Sequence, residues 1–222
     1  MASVLDIPAV VAASGYLPVK RLLDLCLALF CILLFGLLML AIALGIRISS
    51  PGPIFYRQKR IGKNGNSFDM FKFRSMQVQN MPDLHREHVQ GLIRNNTHPH
   101  ELGKKSLKIA GDPRITGLGK YLRKFSLDEL PQFFNVLKGE MSIVGPRPSL
   151  PYEVEVYEEW HKGRLTVLPG ITGPWQVKAR NTVPFDEMVR IDLDYIQSMK
   201  LRLDLKIIFL TPIEMVRGKG AG

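Results

Sequence analysis

The sequence predicts an α+β chain, predominantly helical, with an N-terminal membrane-inserted helix, a β-hairpin and amphipathic helices lying at the interface. Three observations carry this reading. Leu25 to Ile46 is apolar throughout, with no charge and no proline. Two runs of strand character, 54–61 and 67–76, flank the turn Gly62-Lys63-Asn64-Gly65. Leu130, Phe133, Phe134 and Leu137 recur at the i, i+3, i+4, i+7 spacing of a helix face.

The apolar stretch is long enough to matter at a membrane. Its 22 residues, at ~1.5 Å rise, give roughly 33 Å against a hydrocarbon core of about 30 Å. Lys20 and Arg21 precede it, Asp24 lies in its first turn and Arg47 closes it. A signal peptide fits poorly, because the run is too long and Arg47-Ile48-Ser49-Ser50-Pro51 follows where a cleavage site would stand. The residues leave three geometries open: a spanning helix (the default), a helix that returns on the side it entered, or a buried core helix. Gly36 stands mid-segment as either a bend or a packing contact. Arg47, Arg57, Lys59, Arg60 and Lys63 outnumber Lys20 and Arg21, which puts the C-terminal bulk in the cytoplasm. The chain then divides into a tail (1–19), a membrane helix (20–49) and a cytosolic, membrane-associated domain (50–222).

Ser50-Pro51-Gly52-Pro53 ends the membrane helix. In the second strand, Phe71 and Phe73 alternate with Lys72 and Arg74. The cationic side is either a solvated face or a wall for an anion. Residues 77–108 read as a helix and a loop. His85, His88, His98 and His100 lie there without the spacing of a metal site. Leu130 to Leu137 forms a helix with those four apolar residues buried, ended by Gly139. Phe185 to Met199 is an amphipathic helix. Leu201 to Val216 is apolar but interrupted by Pro212, so it lies in the interface or packs on the domain.

The net charge of +10 favours anionic partners, whether phospholipid, nucleotide or nucleic acid. No RNA-binding or zinc-finger spacing accompanies it, which argues against nucleic acid. The two cysteines, Cys26 and Cys31, both fall in the apolar stretch and point in different directions, as packing groups do.

Three segments carry candidate chemistry. In Ser126-Leu127-Asp128-Glu129, Ser126 and Glu129 have capping-box spacing, although Pro131 favours a helix start near Asp128. Either start places both carboxylates at a helix N-terminus, ionised, fit for nucleophilic attack on phosphorus or for holding Mg²⁺. Arg123 and Lys124 just upstream strengthen a phosphoryl reading. Pro146-Arg147-Pro148 restricts the backbone around an arginine suited to clamping phosphate, though a surface turn would look the same. The turn 169–175, followed by Arg180 and Asn181, offers backbone N–H groups for an anion or simply packs Trp175.

Together these segments closely resemble the bacterial sugar transferases, the monotopic phosphoglycosyl transferases that prime glycan assembly on polyprenyl phosphate. The resemblance rests on Lys72 to Met76, Asp112 to Thr116, Ser126 to Ser142, Val144 to Pro148, Gly170 to Gly173 and Asp204 to Ile208, in that order, and covers about Lys20 to Val216. It implies transfer of a sugar 1-phosphate from a UDP-sugar to polyprenyl (undecaprenyl) phosphate with release of UMP, the first membrane step of glycan or exopolysaccharide assembly. It implies Asp128 as nucleophile, Glu129 as the Mg²⁺ ligand, and Arg123 and Arg147 as phosphate-binding groups. Lys72, Arg74 and Arg180 are further phosphate-binding candidates. It implies a minimal catalytic form on the cytosolic face of a bacterial inner membrane. The family's helix is broken by a Ser-Pro pair and re-enters; Gly36-Leu37 stands at that position here, and the resemblance turns the expectation to re-entry. A homodimer stays open. The competing reading is a basic, membrane-bound adaptor without catalysis.

Overall fold

The computed structural model describes residues 15–77, 83–96, 114–178 and 183–217. The N-terminal helix α1 (Tyr16–Ser49) leads into a hairpin of β1 (Phe55–Ile61) and β2 (Ser67–Phe73). Then come α2 (Asp83–Asn95), α3 (Gly117–Lys124), a 3₁₀ turn (Leu127–Glu129) and α4 (Gln132–Lys138). Strand β3 (Ser142–Val144), α5 (Pro151–Val154) and a second 3₁₀ segment (Glu159–Thr166) lead to β4 (Gly170–Thr172). The chain closes with α6 (Pro174–Lys178), α7 (Phe185–Gln197) and α8 (Leu201–Arg217). The fold is α+β and mostly helical, with one apolar N-terminal helix and a hairpin.

Helix α1 is 34 residues long and helical straight through Gly36, so no break stands at Gly36-Leu37. One stripe of it is covered by the rest of the protein: Tyr16, Lys20, Asp24 and Ala28 towards one end, Met39, Ile42 and Ile46 towards the other. The opposite face is bare and apolar. Leu29, Phe30, Leu33, Leu37, Leu44 and Ile48 are all more than half exposed.

Both ends of α1 are fastened to the same body. Asp204 of α8 accepts from Tyr16 (2.5 Å), Lys20 (2.8 Å) and Tyr195 (2.7 Å). Asp24 accepts from the Ser142 hydroxyl (2.7 Å) and the Ile143 N–H (3.0 Å), and Arg21 donates to the carbonyl of Val136 (2.8 Å) at the end of α4. At the other end Ile46 packs with Phe73 and Leu122. There Arg74 donates to the carbonyls of Ser50 (2.7 Å) and Pro51 (2.8 Å) and to the Ser50 hydroxyl (2.8 Å). A guanidinium on a helix C-terminus meets carbonyls the helix itself cannot pair. Arg74, a candidate phosphate ligand by sequence, is thus buried as the clasp on α1.

The hairpin forms as the sequence predicts, with Tyr56 opposite Lys72 and Arg60 opposite Phe68. Asn64 (φ 57°) and Gly65 (φ 77°) take the left-handed conformations of its turn. Its second strand stops at Phe73, short of Met76, because the chain turns there to clasp α1.

Helix α4 ends at Gly139 as expected, in the left-handed conformation (φ 83°). Its buried face is not the apolar one. Gln132, Asn135 and Val136 are buried, while Phe134 and Leu137 are more than a third exposed. The reason is the outer edge of β2: Asn135 accepts from the Phe71 N–H (3.0 Å) and donates to the Asp69 carbonyl (2.7 Å). Its amide completes a strand edge that would otherwise be unpaired, so a polar residue takes the inner position. Helix α7 covers the predicted amphipathic segment, with Phe185, Met188, Val189 and Ile196 inward. Helix α8 continues through Pro212; it buries Asp204 and Ile207 and shows an apolar stripe of Leu201, Leu205, Phe209 and Ile213.

Candidate active site

Asp128 and Glu129 lie side by side on the 3₁₀ turn between α3 and α4, both half-buried. Ser126 makes no side-chain cap; it sits in the left-handed region (φ 54°, ψ 24°), turning the chain out of α3. The capping-box reading therefore fails. Pro131 (φ −63°) directly precedes α4, where its missing N–H costs nothing. Leu127 and Leu130, on either side of the acids, pack against the cluster that Met39, Ile42 and Ile46 of α1 form with Phe73 and Leu122. Tyr121 and Phe125, just upstream in sequence, are exposed aromatics.

Cations converge on this turn. Lys72 of β2 pairs with Glu129 at 2.9 Å. Arg123, one turn upstream, lies 3.3 Å from the Met76 sulfur. Arg60 projects from the same hairpin face as Lys72, is buried, and donates to the Pro148 carbonyl (2.8 Å) and to Gln58 (2.7 Å). Burial, with Arg147 nearby, pushes its guanidinium down to about 10, against the fields of Glu153 and Glu129. A buried cation hydrogen-bonded to a carbonyl and an amide is suited to an incoming anion.

Arg147 reaches Glu153 at 3.2 Å. Glu153 is fully buried, which opposes its charge, but Arg147, Arg60 and the Leu150 N–H hold its carboxyl below the usual range. Behind it, Arg164 meets Asp192 at 2.8 Å. Complete burial pushes Asp192 up to about 6, with Arg164 opposing.

The structure therefore gathers Asp128, Glu129 and Lys72 at one turn, with the Arg123 guanidinium directed to the Met76 sulfur. Through Arg60 it links them to Arg147 and Glu153. Arg74 is committed to α1, and Arg180 lies outside the described residues. In the glycine-rich turn the Gly170 N–H is already bonded to Pro146 (2.8 Å), and Gly145 donates to Thr172 (3.0 Å) across the β3–β4 contact. A Cβ on Gly145 would meet the Leu168 carbonyl at 2.5 Å, so glycine is there for backbone approach. Sequence reasoning missed Arg60 and Glu153. Arg60 looked like one more cation in a basic strand; its alternation with Tyr56 and Gln58 was the available signal. Among the described residues, no group of three or more His, Cys, Asp or Glu side chains is placed to hold a metal ion. The adjacent pair 128–129 suits a cation that takes its other ligands from a bound phosphate.

Comparison with known proteins shows the family. The chain is 42% identical over 208 residues to the galactosyl transferase CpsE of Streptococcus agalactiae, covering 93% of this chain and 44% of that one. It is 41% identical over 192 residues to the exopolysaccharide production protein ExoY of Rhizobium meliloti, covering 86% of this chain and 83% of that one. It is 37% identical over 210 residues to a UDP-glucose:undecaprenyl-phosphate glucose-1-phosphate transferase of Escherichia coli, covering 91% and 41%. The chain thus spans less than half of two of these relatives and most of the third. Residues 15–218 match the family described as bacterial sugar transferase, and the chain belongs to that family.

Proposed function

We propose that this protein is a phosphoglycosyl transferase that moves a sugar 1-phosphate from a UDP-sugar to polyprenyl phosphate and releases UMP. The observation that carries the proposal is the Leu127–Glu129 turn: two adjacent half-exposed carboxylates, with Lys72 paired to Glu129 at 2.9 Å and Leu127 packed into the cluster shared with the apolar helix. Family membership supports the reaction class.

In this mechanism a carboxylate oxygen of Asp128 attacks the sugar-bearing phosphorus of the donor. The Asp–O–P bond forms as the bridging P–O bond to UMP breaks, and UMP leaves with that oxygen. A phosphate oxygen of the lipid acceptor then attacks the same phosphorus, giving the lipid diphosphosugar and restoring the carboxylate. One acyl phosphate stands between two phosphoanhydrides, so no further energy source enters. Glu129, with Asp128, would hold Mg²⁺, which supplies charge neutralisation to the diphosphate when bound. Lys72 and Arg123 would balance charge developing at the transferring phosphoryl group, and Arg147 that on the leaving UMP.

Helix α1 would hold this chemistry at the depth of the acceptor headgroup. Because its two ends are bonded to one folded body, it would enter the cytosolic leaflet from one side without crossing. The bare stripe of α8 would lie in the same interface. Incubation with Mg²⁺, polyprenyl phosphate and a panel of UDP-sugars is expected to give UMP and a lipid-linked phosphosugar, and Asp128→Asn to give neither. An Asp128→Asn variant with wild-type turnover would remove the proposal. A protein that binds anionic vesicles but turns over no donor would be the adaptor instead.

A further inference from the structure

Met76 and Arg123 meet across a short backbone seam. The Gln77 N–H donates to the Arg114 carbonyl (2.8 Å) and the Thr116 N–H to the Ser75 carbonyl (3.1 Å), so residues 75–77 pair with 114–116. Thr116 then caps α3 by accepting from the Gly119 N–H (2.9 Å). Gly119 comes so close that a Cβ there would collide with the Ser75 carbonyl. Helix α3 is thereby fixed against the Met76 segment, and Arg123 in its last turn reaches the Met76 sulfur at 3.3 Å. Both side chains are half-buried.

The cations of this region differ in what holds them. Lys72 has the Glu129 carboxylate at 2.9 Å, and Arg147 has Glu153 at 3.2 Å. Arg60 has a carbonyl and an amide. Among the described residues, the Arg123 guanidinium bonds only to a thioether, the weakest acceptor of the set. A carboxylate in that place would form a charge-assisted bond and compete with a phosphate for the guanidinium. An aliphatic side chain would give it no direction.

We infer that Met76 is a positioning residue for transfer: its sulfur aims the Arg123 guanidinium without neutralising it, which leaves the charge for the transferring phosphoryl group. The inference rests on reading Arg123 as a phosphate-binding group of the proposed transferase. The opposing account is packing, in which Met76 fills space beside α3 and its sulfur is incidental.

The test is a double-mutant cycle on the full chain in detergent, read in kcat and KM for a UDP-sugar with polyprenyl phosphate saturating. Arg123→Met is expected to lower kcat about a hundredfold. Met76→Leu nearly keeps the volume and removes the acceptor; kcat is expected to fall about fivefold, with KM within about twofold. Met76→Glu is expected to fall as far as Arg123→Met, about a hundredfold, because the carboxylate takes the guanidinium. In the Arg123→Met background, Met76→Leu is expected to cost less than about twofold, since no guanidinium is left to aim. Unchanged unfolding midpoints certify the fold, and a Met76→Glu variant that does not fold leaves the Met76→Leu cycle to decide. A Met76→Leu variant with wild-type kcat, or a loss that repeats in full without the guanidinium, would overturn the inference. So would Arg123→Met at wild-type turnover, which would leave the transfer reaction and Asp128 standing. A wild type that releases no UMP from any UDP-sugar would remove both readings.

Discussion

At Asp128, charge and geometry separate under one substitution. Asn keeps the shape of the side chain and removes the negative oxygen that attacks phosphorus. Asp128→Asn is therefore expected to lower transfer by at least about a thousandfold, as nucleophile deletions do, with unfolding unchanged. Lys72→Met is expected to cost about a hundredfold in kcat, since Lys72 lies 2.9 Å from Glu129 and faces the same turn. The sequence proposes the acids, Arg123 and Arg147 on their types and order; the structure sets the acids on one 3₁₀ turn and Arg147 against Glu153. Arg74 was misread for a physical reason. Strand alternation places it beside Lys72, but the strand ends at Phe73 and the next guanidinium goes to the open carbonyls of α1. Nothing in a local pattern reports where a helix more than twenty residues earlier leaves its last carbonyls.

Among the elements, α4 shows how tertiary pairing overrides periodicity. The i, i+3, i+4, i+7 pattern located the helix and its Gly139 stop, yet its inner position belongs to Asn135, which pairs the edge of β2. Asn135→Ala is expected to destabilise the protein by about 2–3 kcal/mol, read by chemical denaturation, because Phe71 N–H and Asp69 C=O would lose their partner. Asn135→Leu, although more apolar, is expected to be no better. Helix α1 makes the converse point. Its apolar length was plain, but the polar residues near its start gave no hint of a buried latch to Asp204. Asp204→Ala leaves Lys20 buried without its counter-ion, and a loss of about 3–5 kcal/mol is expected.

For the whole molecule, two properties follow from how the pieces are joined. On the proposed arrangement, a helix held at both ends by one body would keep its N-terminus on the side of the C-terminal residues. A protease-cleavable tag ahead of α1 is expected to be cut from the cytosolic side of sealed vesicles and protected from the other. The second property is acid sensitivity. His161 is buried, its Nδ1 accepts from the Glu158 N–H (3.1 Å), and burial holds its pKa below the ordinary value despite Asp186. The unfolded chain takes up this proton first, near pH ~6.5, so the stability present above that pH is lost as pH falls. Asp192, pushed up to about 6, acts in the opposite sense below that pH. Across the window from about pH 7.5 to about pH 6 the His161 loss outweighs the Asp192 gain, which is only half developed at the lower end. Melting temperature is expected to fall across it, and His161→Asn to flatten the fall.

The covalent step is tested most directly by intact mass. The purified chain is mixed with Mg²⁺ and a UDP-sugar, without lipid acceptor. The expected result is one phosphosugar added per chain, with an equal amount of UMP, located on Asp128, absent in Asp128→Asn, and discharged by polyprenyl phosphate. Lipid-linked product formed at full rate, with no adduct at any time and with donor and acceptor both required before UMP appears, would contradict it.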